Sequence, residues 1–139
     1  MATIAKKIVD GLHKKNNKTI GEITLQIRKF NYYRSKKHLK NVASLDCQIC
    51  GATGFIQAAH SNQMQHGKGR GIKSSDEYTA ALCLKCHYEI DQGKDLTKEQ
   101  RQQKWLLAHV NTVARLQESE QWPVDVPTPT FTIEAQLSP

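Results

Sequence analysis

Two C-x-x-C pairs are the residues in this chain whose types and spacing speak first: Cys47-Gln-Ile-Cys50 and Cys83-Leu-Lys-Cys86, with 32 residues between them. Each pair can wrap two thiolates around one side of a metal ion. Two pairs complete the tetrahedral four-sulfur set that zinc accepts. Gly51, directly after the first pair, suits the tight turn of a zinc knuckle. A redox dithiol needs only one such pair, and neither copy sits in a thioredoxin-like βαβ context. The expectation is a structural zinc. His87 and Asp91 follow the second pair, four residues apart. On a helix both would project from one face, one turn apart. An imidazole and a carboxylate so placed can share one divalent ion and leave its other positions to water and phosphate oxygens. Without further groups converging, the same spacing is an ordinary surface hydrogen-bonded pair.

The elements that must position these residues lie between and around the pairs. The stretch from Gly54 to His60 predicts a short strand ending in a histidine, and Tyr78 to Leu82 predicts a second strand leading into the second knuckle. Between them runs a polar loop, Ser61 to Ser75, in which Gly67, Gly69 and Gly71 alternate with Lys68, Arg70 and Lys73. Such a loop can bring backbone N–H groups and cations to phosphates, although flexible surface loops share its composition. From about Lys85 the chain predicts a short helix through Asp91, terminated by Gln92-Gly93. Strand, strand and helix then form a β-β-α unit around one site. On pattern alone, His60 on an apolar strand is a core histidine.

Ahead of this unit, Ile4, Ile8 and Leu12 recur at helical steps, and HKKNNK breaks the pattern. Thr19 with Glu22 matches a capping box, and Ile20, Ile23 and Ile27 continue along one helical face. A basic run from Arg34 to Val42 adds Leu39 and Val42 at the same spacing. Three short helices could make a helix-turn-helix with Arg34, Lys36, Lys37 and Lys40 towards a DNA groove; one long helix over 20–40 fits the pattern equally. Tyr32 and Tyr33 at the junction could stack on bases, or pack half-buried between helices. Beyond the unit, Thr97 with Gln100 forms a second capping box. Trp105, Leu106, His109, Val113 and Leu116 follow it on a helix, with Trp105 in the core and His109 incidental. Three prolines between Gln121 and Thr130 point to an extended or disordered end. The chain therefore divides into a basic helical region (1–43), a zinc-stapled α+β domain with a carboxy-terminal helix (44–118) and a tail (119–139).

Charge narrows the partner. The 139 residues carry a net charge of +7 and a pI near 9.3, and the excess sits ahead of Cys47, where 11 basic residues face three acidic ones. That favours a polyanion. No apolar run approaches a membrane span, and charges interrupt the amino terminus too early for a secretory signal. A cytoplasmic, membrane-free location is the expectation.

The order C-x-x-C, strand with histidine, Gly-rich loop, C-x-x-C-H-x-x-x-D resembles the zinc-containing HNH, or ββα-metal, endonucleases. More closely, AAHSN, GRGIKSSDEYTAALC and CLKCHYEIDQG are similar to the YbcO-type nucleases of phages and prophages. The resemblance covers residues 44–95. It implies a phage- or prophage-encoded, metal-dependent endonuclease acting on DNA, branched or single-stranded substrates included, with the oligomeric state open and a dimer among the options. It gives His60 the role of general base, His87 and Asp91 the catalytic divalent ion (Mg²⁺, Mn²⁺ or Zn²⁺), and Asp76 the place of the middle Asn, orienting His60 or the loop. One departure stands out. Many HNH enzymes place a metal ligand directly before the base, where this chain has Ala59, so either the metal is held by fewer protein groups or His66 or Asn62 completes the set. The competing class is a non-catalytic four-cysteine zinc module that binds nucleic acid through its basic residues.

Overall fold

A computed structural model describes residues 17–20, 23–26 and 30–129, and the chain divides into two units, Met1–Asn31 and Tyr32–Pro139. In the first unit, β1 (Asn17–Ile20) pairs antiparallel with β2 (Ile23–Gln26), in a register that sets Ile20 opposite Ile23. This corrects the helix expected from Thr19 to Ile27. Ile20 and Ile23 fit one face of a helix, but they also fit directly opposite positions across a two-residue connection. The β-branched threonines and isoleucines favour strand over helix. Neither the helix-turn-helix nor the long helix over 20–40 can be built on residues that pair as strands. The expected helix around Ile4–Leu12 lies outside the described residues.

The second unit is α+β. Helix α1 (Lys36–Ala43) is capped by Ser35, whose Oγ accepts from the His38 N–H. Strand β3 (Ile56–His60) pairs antiparallel with β4 (Thr79–Cys83), with Ile56 opposite Cys83 and His60 opposite Thr79. Cys83 also caps α2 (Leu84–Gln92), so strand passes into helix without a loop. The capping box expected at Thr97 and Gln100 is present and opens α3 (Lys98–Glu118).

Side-chain alternation divides the β3–β4 hairpin into two working faces. Ala59, Ala80 and Leu82 pack with Ile90 of α2 and Trp105 of α3. Ala58 and Ala81 pack with Val42 of α1 and Leu116 of α3. Four alanines at the centre let helices approach closely from both sides. Three residues along one stripe of α3 then bond to the hairpin backbone: Trp105 Nε1 donates to Ala59 O (3.0 Å), His109 Nδ1 pairs with Thr79 O (2.7 Å) and Thr112 Oγ1 accepts from Ala81 N (3.0 Å). Trp105 is core, as expected. His109 is not incidental: it is fully buried, stacks on Trp105 at 4.7 Å between ring centroids, and fixes the start of β4.

Residues 121–129 do not trail away from the domain. Trp122 folds back edge-on against the buried His38, 4.5 Å between ring centroids, Asn41 Nδ2 donates to Gln121 O, and Pro123 and Val126 are buried. The packing of Trp122, Pro123 and Val126 outweighs the composition that suggested disorder. Among the described residues, no helix is long and apolar enough to cross a membrane.

Candidate functional site

The two knuckles meet at the outer end of the hairpin. In the first, Gly51 N donates to Cys47 O (2.9 Å) with Gly51 at φ 78°, a turn most side chains disfavour. Gln48 N donates to Ala81 O (2.9 Å), which ties this knuckle to β4. The second knuckle runs from Cys83 into the first turn of α2. The four Sγ atoms lie within 4.8 Å of one another and could hold a metal ion, with Cys50 and Cys83 3.7 Å apart. Tetrahedral sulfurs about 2.3 Å from zinc are about 3.8 Å apart, so the set fits. Burial raises the Cys47 thiol, but backbone N–H groups of the knuckles more than offset it and hold it at about 6; Cys86 is pushed up by its own burial and by its sulfur neighbours.

At the far end of β3, His60 Nε2 lies 2.8 Å from Asp76 Oδ1. Asp76 is almost fully buried, yet it stays easily ionised. Burial pushes its carboxyl up, but the His60 ring, the Ser35 N–H (2.7 Å to Oδ2) and Arg34 Nη1 (3.1 Å to Oδ1) together hold it below the ordinary range. Burial in turn lowers the His60 pKa, against the upward pull of Asp76. A neutral ring beside an ionised carboxylate donates from Nε2, which leaves the lone pair on Nδ1. This pair is the geometry of an oriented base.

His60 and Asp76 open into a cleft of about 660 Å³ with Arg34, Lys36, Leu39, Ile72 and Lys73 in its walls. Arg34 does not face a groove from a helix-turn-helix. Its guanidinium bonds Ser74 O (2.5 Å), Lys73 O (2.8 Å) and Asp76, anchoring the segment before β4. Lys37 and Lys40 stand exposed on α1, and Arg70 is exposed in the loop. The glycine loop also departs from expectation. Gly69 and Ile72 bond each other's N–H and C=O, and Gly67 N donates to Met64 O. These donors are used within the loop, so its contacts with a phosphate would come from Lys68, Arg70 and Lys73 side chains.

His87 and Asp91 meet on α2 as their spacing requires, Nε2 to Oδ2 at 3.1 Å. Two groups from the hairpin converge on them: Gln57 Oε1 lies 2.7 Å from His87 Nδ1, and Asn62 Nδ2 donates to Asp91 Oδ1 at 2.7 Å. Both ring nitrogens therefore face oxygen acceptors. Adjacent ligands on an octahedral cation with bonds of about 2.1 Å lie about 3.0 Å apart, close to the His87–Asp91 separation. Burial raises the Asp91 carboxyl, and the His87 and Asn62 hydrogen bonds with the nearby Lys68 charge bring it below its ordinary value. Asn62 joins this group by orienting Asp91. His66 does not: it bonds Ser61 Oγ (2.6 Å) and stacks on Tyr78 (4.2 Å). Ala59, the residue before His60, is buried and carries no side-chain ligand atom.

The two pairs occupy opposite faces of β3. Gln57 and Ala59 look towards α2, whereas His60 looks towards the α1 side. Among the described residues no hydrogen bond joins His60–Asp76 directly to His87–Asp91; the link between their neighbourhoods is Asn62, two residues after His60, which donates to Asp91. Tyr32 and Tyr33 are part-exposed, with Tyr32 Oη donating to Gly67 O. Gln57 and Ser35 were missed in the sequence. Strand parity could have found Gln57, because it shares a face with Ala59. Ser35 is marked locally only as a helix cap; nothing local marks its bond to Asp76, 41 residues away. Compared with protein-family models, curated proteins and solved structures, the chain matches none.

Proposed function

We propose that the second unit is a metal-dependent endonuclease of the HNH kind that hydrolyses DNA phosphodiester bonds, held together by a structural zinc on Cys47, Cys50, Cys83 and Cys86. The observation that carries the reading is His60, fixed by a buried, ionised Asp76 at the edge of a cleft bearing Arg34, Lys36 and Lys73. A surface histidine needs no buried carboxylate behind it; a general base does.

In this reading the scissile phosphate lies at the end of β3. His60 Nδ1 accepts a proton from water as the water oxygen bonds to phosphorus, and the P–O bond to the departing strand breaks. Asp76 keeps the ring oriented and stabilises the imidazolium that forms. Lys36 and Lys73 draw the backbone into the cleft. His87 and Asp91 would hold a divalent cation, with Gln57 and Asn62 fixing their orientation. Such an ion supplies neutralisation of the phosphate and of the departing oxygen. Mg²⁺, Mn²⁺ and Zn²⁺ all accept this donor set, imidazole favouring the last two.

The test is incubation of the full chain with supercoiled plasmid and Mg²⁺, Mn²⁺ or Ni²⁺, beside His60→Ala. Nicked or linear product from the parent protein alone supports the nuclease. Salt-sensitive binding with no strand break under any metal, on plasmid or on branched and single-stranded DNA, would replace it with the binding-module reading.

A further inference from the structure

A second cleft, of about 400 Å³, opens on the other side of the β3 end and has Asp91 in its wall. Its floor is apolar, made by Ile90 and Trp105, which are both buried. Its rim carries the carboxamides of Gln63, Gln92 and Gln102 and the cations Lys98 and Arg101. Arg101 is drawn towards the site by a bond from Nη1 to Asp91 O at 3.3 Å. Asn62 and Asp91, which also line this cleft, belong to the hydrolytic scheme above; the residues of its floor and rim do not.

Each component suits one part of a nucleotide. Carboxamides present a donor and an acceptor side by side and so pair with the edge of a base. Lys98 and Arg101 suit a phosphate, and the apolar floor suits the base plane. The volume falls within the range of small-ligand sites. A base held in a duplex stack cannot enter a recess of this kind without leaving the stack. We infer that this cleft takes one unpaired nucleotide of the substrate strand, its base edge against Gln63, Gln92 and Gln102 and its phosphate against Lys98 and Arg101. The inference rests on the nuclease reading for the strand that delivers the nucleotide; the recognition chemistry is the cleft's own, and a free nucleotide presents the same groups.

The experiment follows nitrogen-15 spectra of the zinc-loaded full chain, with no further divalent ion added. Titrants are deoxynucleoside monophosphates, deoxyribose phosphate, inorganic phosphate, and a short oligonucleotide both single-stranded and as a duplex. The mononucleotides should shift Arg101, Gln102 and the Trp105 indole, and deoxyribose phosphate should bind about tenfold more weakly for lack of a base. The single strand should bind more tightly than the duplex at these residues. A Lys98→Ala/Gln102→Ala variant should lose about tenfold in single-strand affinity while the rest of its spectrum is unchanged. Equal binding of deoxyribose phosphate, shifts confined to other residues, a preference for duplex, or no loss in the variant would each overturn the inference. Mononucleotides binding more tightly than the strand would overturn its assignment to a strand. A protein that binds as described but never cuts DNA keeps this inference and loses the nuclease; one that cuts without shifts here does the reverse.

Discussion

Asn62 Nδ2 donates to Asp91 Oδ1 at 2.7 Å, joining the chain just past His60 to the helix that carries His87. This bond ties the end of β3 to the last turns of α2, although His60 and the candidate metal pair look to opposite faces of the strand.

Replacing Asn62 with Ala should therefore weaken the divalent site while leaving the fold intact, since Asn62 is exposed. Loss of an outer partner of a metal ligand typically costs about 10- to 100-fold in metal affinity or activity. Activity titrated against Mn²⁺ should need correspondingly more metal. An unchanged titration would leave Asn62 no such role.

His60→Ala should lower the cleavage rate by about 10²- to 10⁴-fold, the usual contribution of a general base. Burial lowers the His60 pKa below 6.5 and Asp76 pulls it upward. The acidic limb of the rate profile should accordingly lie below 6.5. Asp76→Asn removes the upward pull, so the limb should move to still lower pH while the plateau falls with the loss of orientation. A limb that stays in place in Asp76→Asn would separate Asp76 from the base.

Metal analysis should find one tightly held zinc per chain, and Cys50→Ser should remove it. Binding free energies of about 10–16 kcal/mol are typical of structural zinc, as large as the whole stability of an ordinary small domain. Chelation should melt the β3–β4 hairpin, read as loss of amide dispersion. Retention of a folded spectrum without metal would refute the stapling role.

Acid should destabilise the domain through its buried histidines. Burial lowers the His109 pKa from 6.5 to about 4, in spite of the bond to Thr79 O. The fold thus keeps the ring neutral where the unfolded chain binds a proton. The stability is fully present above 6.5, falls as the pH drops towards 4, and is then lost. The gap corresponds to about 3 kcal/mol. His38 and His66 are lowered by burial too and act in the same direction. Denaturant midpoints measured between pH 7 and pH 4 should decline; a flat series would contradict the buried neutral ring.

Gly93→Ala should disturb the end of α2. Gly93 has an ordinary backbone conformation, but an added Cβ would fall on the Glu89 carbonyl oxygen, which the Gly93 N–H itself caps. The helix end would have to open two residues from Asp91, with a loss of about 1–3 kcal/mol in stability and weaker metal binding. Thermal melts and metal titration of this variant would register both.

The zinc set was legible because its information is local: two residues between thiolates specify a knuckle whatever surrounds it. The His87–Asp91 pair was legible for the same reason, as a helical spacing next to an anchored cysteine. The hairpin at 17–26 was not, because Ile20 and Ile23 satisfy both a helical face and a cross-strand pair, and only the partner strand decides. Arg34 read as one charge in a basic run, while its work is done on the carbonyls of Lys73 and Ser74, some forty residues along the chain. His60 looked like core until the resemblance singled it out. Its partner Asp76 came from the same comparison, since periodicity carries no trace of a contact between a strand end and a distant loop.

The pairing of β3 with β4 gives the four sulfurs a further task. Cys83 stands opposite Ile56 at one end of a five-residue ladder whose other end is His60, about 13 Å away at strand spacing. A slip of one residue would turn His60 to the α2 side and offer Ala59 to Asp76. A metal ion on the four sulfurs would clamp Cys83 and bar that slip, so that an ion at one end would set which way the imidazole points at the other, much as a keyed shaft fixes the angle of a distant dial.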